Sequence, residues 1–385
     1  MLREKQIWRL DRLGRLAVIA CVACSALACQ QAETPASRPM RMILVGQALT
    51  DYDIRQYRPD SFEEMVTALG GGDVTFTNLE VPIRRNDSVK PVKVGVAAHG
   101  APPAVLDALK ELGFNLLSLS NNHSWDFGEP GLLDTISESR KRGFVHAGTG
   151  NTIDEATAPA FLETASGRVA LVAMASGGLM PESPAGSEKP GVNELKLDPE
   201  GRWNEVDQAR ILAAIKAARA EANHVVAYQH HHYWKDDLKE TPPWLKEWAR
   251  KCIDAGATVF VAHGVPILHG IELYKGRPIF YSLGNFIFHS RQIGRWPALA
   301  WRSVIADLRF EGDVVTGLTL TPILLNEQGT PGDLFNQTRG APRLANGEEA
   351  AAILNRLAEV SRELGTELTI RDGKAELQFS RGGSH

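Results

Sequence analysis

Six short polar clusters carry residue types that ligate metals or move protons: Gly46-Gln47, Asn78-Leu79-Glu80, Asn121-Asn122-His123 continuing to Asp126, His230-His231-His232, His263-Gly264, and Tyr281 to Phe286 with Asn285 in it. Most follow directly on apolar, strand-like runs: Met42–Val45, Val74–Thr77, Phe114–Ser120, His224–Gln229 and Thr258–Ala262. In α/β folds, one edge of a sheet presents its ligating and catalytic side chains in this way.

The segments between these clusters read as the scaffold. Pro102 to Leu112 places Val105, Leu106, Leu109 and Leu112 on one helical face and stops at Gly113. Further helices are expected over Leu132–Arg142, Val206–Ala222 and Thr241–Ala255, the last with Thr241 as N-cap and Pro242 in the first turn, each followed by a strand. Such β-α units imply mainly parallel pairing. After Ile267 hairpins take over: Gly276-Arg277 is expected to turn Ile271–Tyr274 into Pro278–Ser282, and Gly312-Asp313 to turn Val304–Phe310 into Val314–Leu325. The Gly-, Pro- and Asn-rich stretch 326–347 leads to a helix over Glu348–Leu364 and a hairpin turned at Asp372-Gly373. Two mixed sheets packed face to face, with helices outside, accommodate both halves.

The chain has 385 residues, 43% of them apolar, which suffices for a large core, and its net charge is −4. No basic stripe follows the first fifteen residues, so a nucleic-acid partner is not expected. Arg3, Lys5, Arg9, Arg12 and Arg15 precede the apolar run Leu16 to Ala28, which is shorter than the roughly 20 residues of a membrane span. Residues 1–28 therefore read as an export signal. Ala26-Leu27-Ala28 before Cys29 resembles a bacterial lipoprotein processing site, with ordinary cleavage after Ala28 as the alternative. The expected layout is a short linker 29–40 after a lipid-anchored Cys29, a domain over 41–325, and a C-terminal segment 326–385 packing on it. The destination is the periplasm or cell surface. Cys21 and Cys24 leave with the signal, and Cys252 reads as a buried small hydrophobe, so no disulfide framework is expected.

Thr77 to Ile83, Ser118 to His123 through Asp126-Phe127-Gly128, His146 to Gly150, and Gly270 to Gly276 through Tyr281 to Phe286 together resemble the bacterial CapA family of poly-γ-glutamate capsule synthesis. The family is similar to the calcineurin-like metallophosphoesterases. That resemblance, which covers about Arg41 to Leu325, implies an α/β four-layer αββα sandwich of the metallo-dependent phosphatase type. It also implies one or two divalent ions of manganese, zinc, iron or magnesium, which polarise a phosphoryl or acyl oxygen and generate hydroxide near neutral pH. On this reading Asn122, His230, His263 and Glu80 are the metal ligands. His123 steadies the transition state or protonates the leaving group, Asp126 orients its ring, and Glu80 stands with them in catalysis. Gln47, Asn78, Asn121, His232 and Asn285 bind substrate or support the site. The substrate class is an extracellular anionic polymer, or a peptide or phosphoester.

Two departures from the family pattern bear on the metal. Gln47 stands where metal-binding relatives place Asp, and His263-Gly264-Val265-Pro266 replaces a His-x-His pair, so one firmly held ion, or none, is expected. Asp51 and Asp53 are candidates to compensate. His232 shares the strand face of His230, whereas His231 points the other way. His146 reads as a packing residue, and His99, His269 and His289 as structural or exposed. Three functional readings stay open: a metal-dependent hydrolase of phosphoesterase or amidase type, a metal-independent proton-transfer enzyme of epimerase type, and a non-catalytic lipoprotein assisting polymer export.

Overall fold

A computed structural model of the chain describes residues 38–56, 59–93, 98–234, 237–332 and 334–379. The chain divides into two units, Met1–Ala36 and Ser37–His385, and the sheets and helices described below belong to the second. The expected export signal and Cys29 lie outside the described residues.

Nine strands form the first sheet. Its parallel half runs Met40–Leu44, Val74–Asn78, Leu116–Ser118, Val145–Ala147. On its other side Arg302–Glu311 pairs antiparallel with Met40–Leu44, followed by Val314–Leu325 and the terminal hairpin Thr369–Arg371 and Lys374–Gln378. Pro342–Leu344, inside the stretch read as a linker, also pairs with Val314–Leu325. The second sheet has six strands, ordered Ile271–Tyr274, Arg277–Phe280, Val259–His263, His224–His231, Gly167–Ser176, Ala160–Thr164, parallel at its centre and antiparallel at both edges.

Alternation along the strands assigns each face its partner. Met42, Leu44 and Phe76 of the first sheet share one apolar cluster with Leu171, Val226, Tyr228 and Val261 of the second. Ile43 and Val45 turn the other way, toward Phe62 and Met65 of helix Pro59–Leu69, Val105 and Leu109 of helix Ala104–Glu111, and Leu132 and Ile136 of helix Gly128–Lys141. The outer face of the second sheet, with Val172, Ala227 and Phe260, is covered by Ile211 and Ile215 of helix Glu205–Glu221 and by Leu245, Trp248 and Cys252 of helix Pro243–Asp254. The layers are thus α, β, β, α, the architecture expected from the sequence. Cys252 is free and fully buried, as expected.

Local differences have local causes. The cap of helix Pro243–Asp254 is Pro242, not Thr241; the Thr241 hydroxyl instead meets His269 Nδ1 at 3.1 Å. In the hairpin after Ile271, Tyr274 pairs with Arg277, so the turn is Lys275-Gly276, one residue earlier than expected. Both turn residues have positive φ, 51° and 71°, as the two-residue turn matching strand twist requires.

Candidate functional site

The parallel strands of both sheets end at one place. Register sets His230 beside His263 in the second sheet, and the chain leaves Val74–Asn78 and Leu116–Ser118 of the first sheet directly into Glu80 and Asn121 to His123. The near approach of the two histidine strands needs Gly264: its φ is 111°, and a Cβ there would lie 2.0 Å from the His231 carbonyl oxygen.

Side-chain alternation then sorts the three consecutive histidines. His230 follows Tyr228 on the inner face, where its Nε2 lies 2.9 Å from Asn122 Oδ1 and 3.6 Å from Glu80 Oε1. His232 stacks on His230 with ring centroids 5.1 Å apart. His231 turns outward and packs its ring edge-on to Trp244. Nitrogen and oxygen donor atoms of Glu80, His230 and His232 all lie within 4.8 Å of one another, the one such grouping among the described residues. His263, ranked above His232 from sequence, is buried next to this group but not a member of it; its ring packs against Tyr228. Glu80 Oε2, His232 Nε2 and both ring nitrogens of His263 are buried without hydrogen-bond partners.

Opposite them stands a second pair. His123 Nδ1 is 2.7 Å from Asp126 Oδ2, which also accepts the His99 backbone N–H at 2.9 Å. Lys93 lies 3.1 Å from the other Asp126 oxygen. Asn121 fixes this loop to its neighbour: its amide donates to the Leu79 carbonyl at 2.8 Å and to Asn78 Oδ1 at 3.2 Å, and its oxygen accepts from the His123 N–H at 3.0 Å. His99, read from sequence as structural or exposed, is buried with its ring edge on His123 and its Nδ1 3.0 Å from Asp51.

Gln47 has been absorbed into the scaffold. Its amide donates to Asn285 Oδ1 at 3.0 Å and accepts from the Gly264 N–H at 2.9 Å, while Asn285 donates to the carbonyls of Pro266 and Ala300. Val265, two residues after His263, is fully buried in an apolar cluster with Leu49, Ile267, Phe288 and Trp301. The two aspartates weighed as replacements are engaged elsewhere: Asp53 by Arg55, and Asp51 by His99 and Arg291. His146, His269 and His289 stand apart from the Glu80 grouping. His269 bonds Thr241 and the Leu238 carbonyl, and His289 Nδ1 accepts from the Tyr52 N–H.

The electrostatics follow from burial. Desolvation pushes the Glu80 carboxyl up to about 8, with Lys93 working against it and Asp126 adding to it. His230 and His232 are held well below the usual imidazole value, and His263 is pushed down to about 3, in each case first by burial. His123 falls to about 4, because burial outweighs the attraction of Asp126. Burial works to raise Asp126, but His123, Lys93 and the His99 N–H offset it and hold the carboxyl below its normal value. Two neutral imidazoles, one with its Nε2 unpartnered, and a carboxyl group with one oxygen unpartnered form an arrangement that a divalent cation would complete. The cleft above them holds about 240 Å³ and is also lined by Arg291, Arg295, Trp234 and Trp296.

Lys93, His99, Arg291 and Arg295 carried no motif. Lys93 and His99 sit in an aperiodic segment between two recognised blocks. Arg291 follows His289-Ser290 after strand Asn285–Phe288, so the same strand-then-polar pattern that exposed the other clusters was available there.

Among known proteins, the profile of the bacterial capsule synthesis protein PGA_cap matches residues 41–290. An uncharacterised protein of Sinorhizobium fredii, y4sH, is 30% identical over 86% of this chain and 91% of its own length. The capsule biosynthesis protein CapA of Bacillus anthracis is 28% identical over 64% of this chain and 56% of its own. Among solved structures, a phosphatase of Mycoplasma pneumoniae aligns over 75% of this chain and 88% of its own at 12% identity, with a TM-score of 0.41.

Proposed function

We propose a function on one premise: this chain belongs to the bacterial capsule synthesis protein family. It acts on an extracellular anionic polymer of the poly-γ-glutamate type, as a metal-dependent hydrolase of an amide or phosphoester linkage during synthesis or processing. The observation carrying this reading is the convergence of Glu80, His230 and His232, with Glu80 Oε2 and His232 Nε2 unpartnered, opposite the His123–Asp126 pair. The positive rim of Lys93, Arg291 and Arg295 suits an anionic chain.

Glu80, His230 and His232 would hold one divalent ion, with the Asn122 amide oxygen facing the same point. Such an ion polarises the oxygen of the scissile group and lowers the pKa of a bound water. The chain's own residues supply the rest. Asp126 accepts from His123 Nδ1, leaving the bare Nε2 of the neutral ring to take a proton from the attacking water and hand it to the leaving amine or alkoxide. Lys93 neutralises Asp126 and, with Arg291, draws the polymer's negative groups to the cleft.

Export and a lipid anchor at Cys29 complete the proposal and place the cleft outside the cytoplasm. Among the described residues no helix is long and apolar enough to cross a membrane. Cys29→Ala should release the protein from membranes or leave its precursor uncleaved, which fractionation would read.

Metal analysis of the purified mature protein tests the central claim. Close to one ion per chain is expected, with activity lost on chelation and restored on re-addition. Glu80 favours a second reading: a carboxyl with a pKa near 8 is a proton carrier at neutral pH, as the metal-free proton-transfer alternative needs. Full activity in metal-free protein would decide for that alternative.

A further inference from the structure

A second recess adjoins the cleft, with Trp234 lining both. It is larger, about 810 Å³ against about 240 Å³, and its character is opposite. Its walls are aromatic: Trp203, Tyr233, Trp234 and Trp244 are all half-buried, each keeping some surface open. These rings are braced from behind. Trp234 lies 4.3 Å from the ring of His232, Trp244 is met edge-on by His231, and Trp203 leans on the fully buried Trp248.

Four carboxylates line the recess, Asp198, Glu200, Glu205 and Glu247, against one guanidinium, Arg202. That guanidinium is already held by Asp198 at 2.7 Å and Glu200 at 3.1 Å. Lys251 reaches Glu247 at 3.7 Å and sets its ammonium 5.6 Å from the centre of the Trp203 ring, so the chain itself already places a cation against this wall; Glu205 has no ion-pair partner among the described residues. The lining of the cleft has the reverse balance, with Lys93, Arg291 and Arg295 against a single carboxylate, Glu80; Lys93 and Arg291 are paired from behind by Asp126 and Asp51, and Arg295 has no ion-pair partner among the described residues.

Indole and phenol faces attract ammonium groups, and carboxylates beside them add long-range attraction that a neutral sugar does not exploit and an anion is repelled by. We infer that this recess binds a cationic, amine-bearing chain, seated next to the cleft that takes the anionic polymer. Continuity through Trp234 brings the two ligands side by side.

Spermidine binding to the full-length mature protein, followed by titration calorimetry, tests the inference. One saturable site is expected, weakening at least fivefold between low salt and 0.5 M salt. The exposed pair Glu205→Gln with Glu247→Gln should weaken it at least fivefold more at low salt, and Trp203→Ala alone should also weaken it. Absence of saturable binding, or equal affinity in the double glutamine variant, overturns the proposal. So does a neutral tetrasaccharide that binds the recess while spermidine does not. The titration is run on chelated and metal-loaded protein alike; because neither metal content nor turnover enters the readout, this inference and the hydrolase reading fail separately.

Discussion

The strand His224–His231 begins and ends in buried histidines, and its two ends differ in what surrounds them. At the start, His224 is 1% exposed, its Nδ1 has no partner, and burial pushes it down to about 4. Its ring packs on Phe310 at 4.4 Å, and among the described residues no group of metal-ligating side chains gathers around it. At the far end, His230 is equally buried but faces Glu80, Asn122 and His232. Burial and a depressed pKa therefore do not distinguish a ligand from a packing residue. What distinguishes them is convergence from several strand ends, supplied here by the carboxyl edges of two parallel half-sheets.

Breaking the convergent end should have the largest effect. His230→Ala is expected to remove metal and activity together, while His224→Ala leaves metal content unchanged; elemental analysis beside a turnover assay separates them. His123→Ala should lower kcat by roughly 10²–10⁴ with metal content nearly intact, since it removes the group that relays the proton rather than a ligand. Loss of metal in that variant would move His123 into the ligand set.

Much of this arrangement was legible because it rests on short-range signals. Apolar runs ending in Glu80, Asn122, His230 and His263 marked strand ends, and the 3.6-residue apolar spacing of Val105, Leu106 and Leu109 marked a covering helix. What stayed hidden depends on packing between distant segments. Alternation favoured His232 over His231, but only the inter-sheet geometry shows His232 beside Glu80 with His263 a step aside. Gln47 could not be read as scaffold until Asn285 and the Gly264 N–H, more than two hundred residues away, were seen to occupy both ends of its amide. Thr241 looked like a cap because its other partner, His269, is remote in sequence.

Lys93 sharpens the comparison, since it pairs with Asp126 of the proposed catalytic pair and no such pair stands at the His224 end among the described residues. Lys93→Ala would leave one Asp126 oxygen unpaired in a buried place, and losses of about 10–100-fold in kcat/KM are expected, as for other outer partners of a reactive site. Lys93→Arg should recover part of this. If the alanine variant changes only KM, and equally at 0.5 M salt, Lys93 neither orients Asp126 nor steers an anion.

The smallest effect belongs to His224 and is one of stability. In the unfolded chain this imidazole titrates near 6.5, whereas burial, aided by Arg219 and Arg277, holds it to about 4 in the fold. A depressed folded value means that the unfolded state binds more protons in between. Stability is therefore full above pH 6.5 and falls as the pH drops toward 4. At pH 5.5 the expected loss from this residue is about 1 kcal/mol. Replacing it by Phe, which can lie against Phe310 without a proton to bind, should shrink the drop in urea-unfolding free energy between pH 7.5 and pH 5.5 by that amount while turnover stays unchanged. An identical drop in wild type and His224→Phe would show that His224 does not resist protonation, and the contrast between the two ends would then extend to their electrostatics.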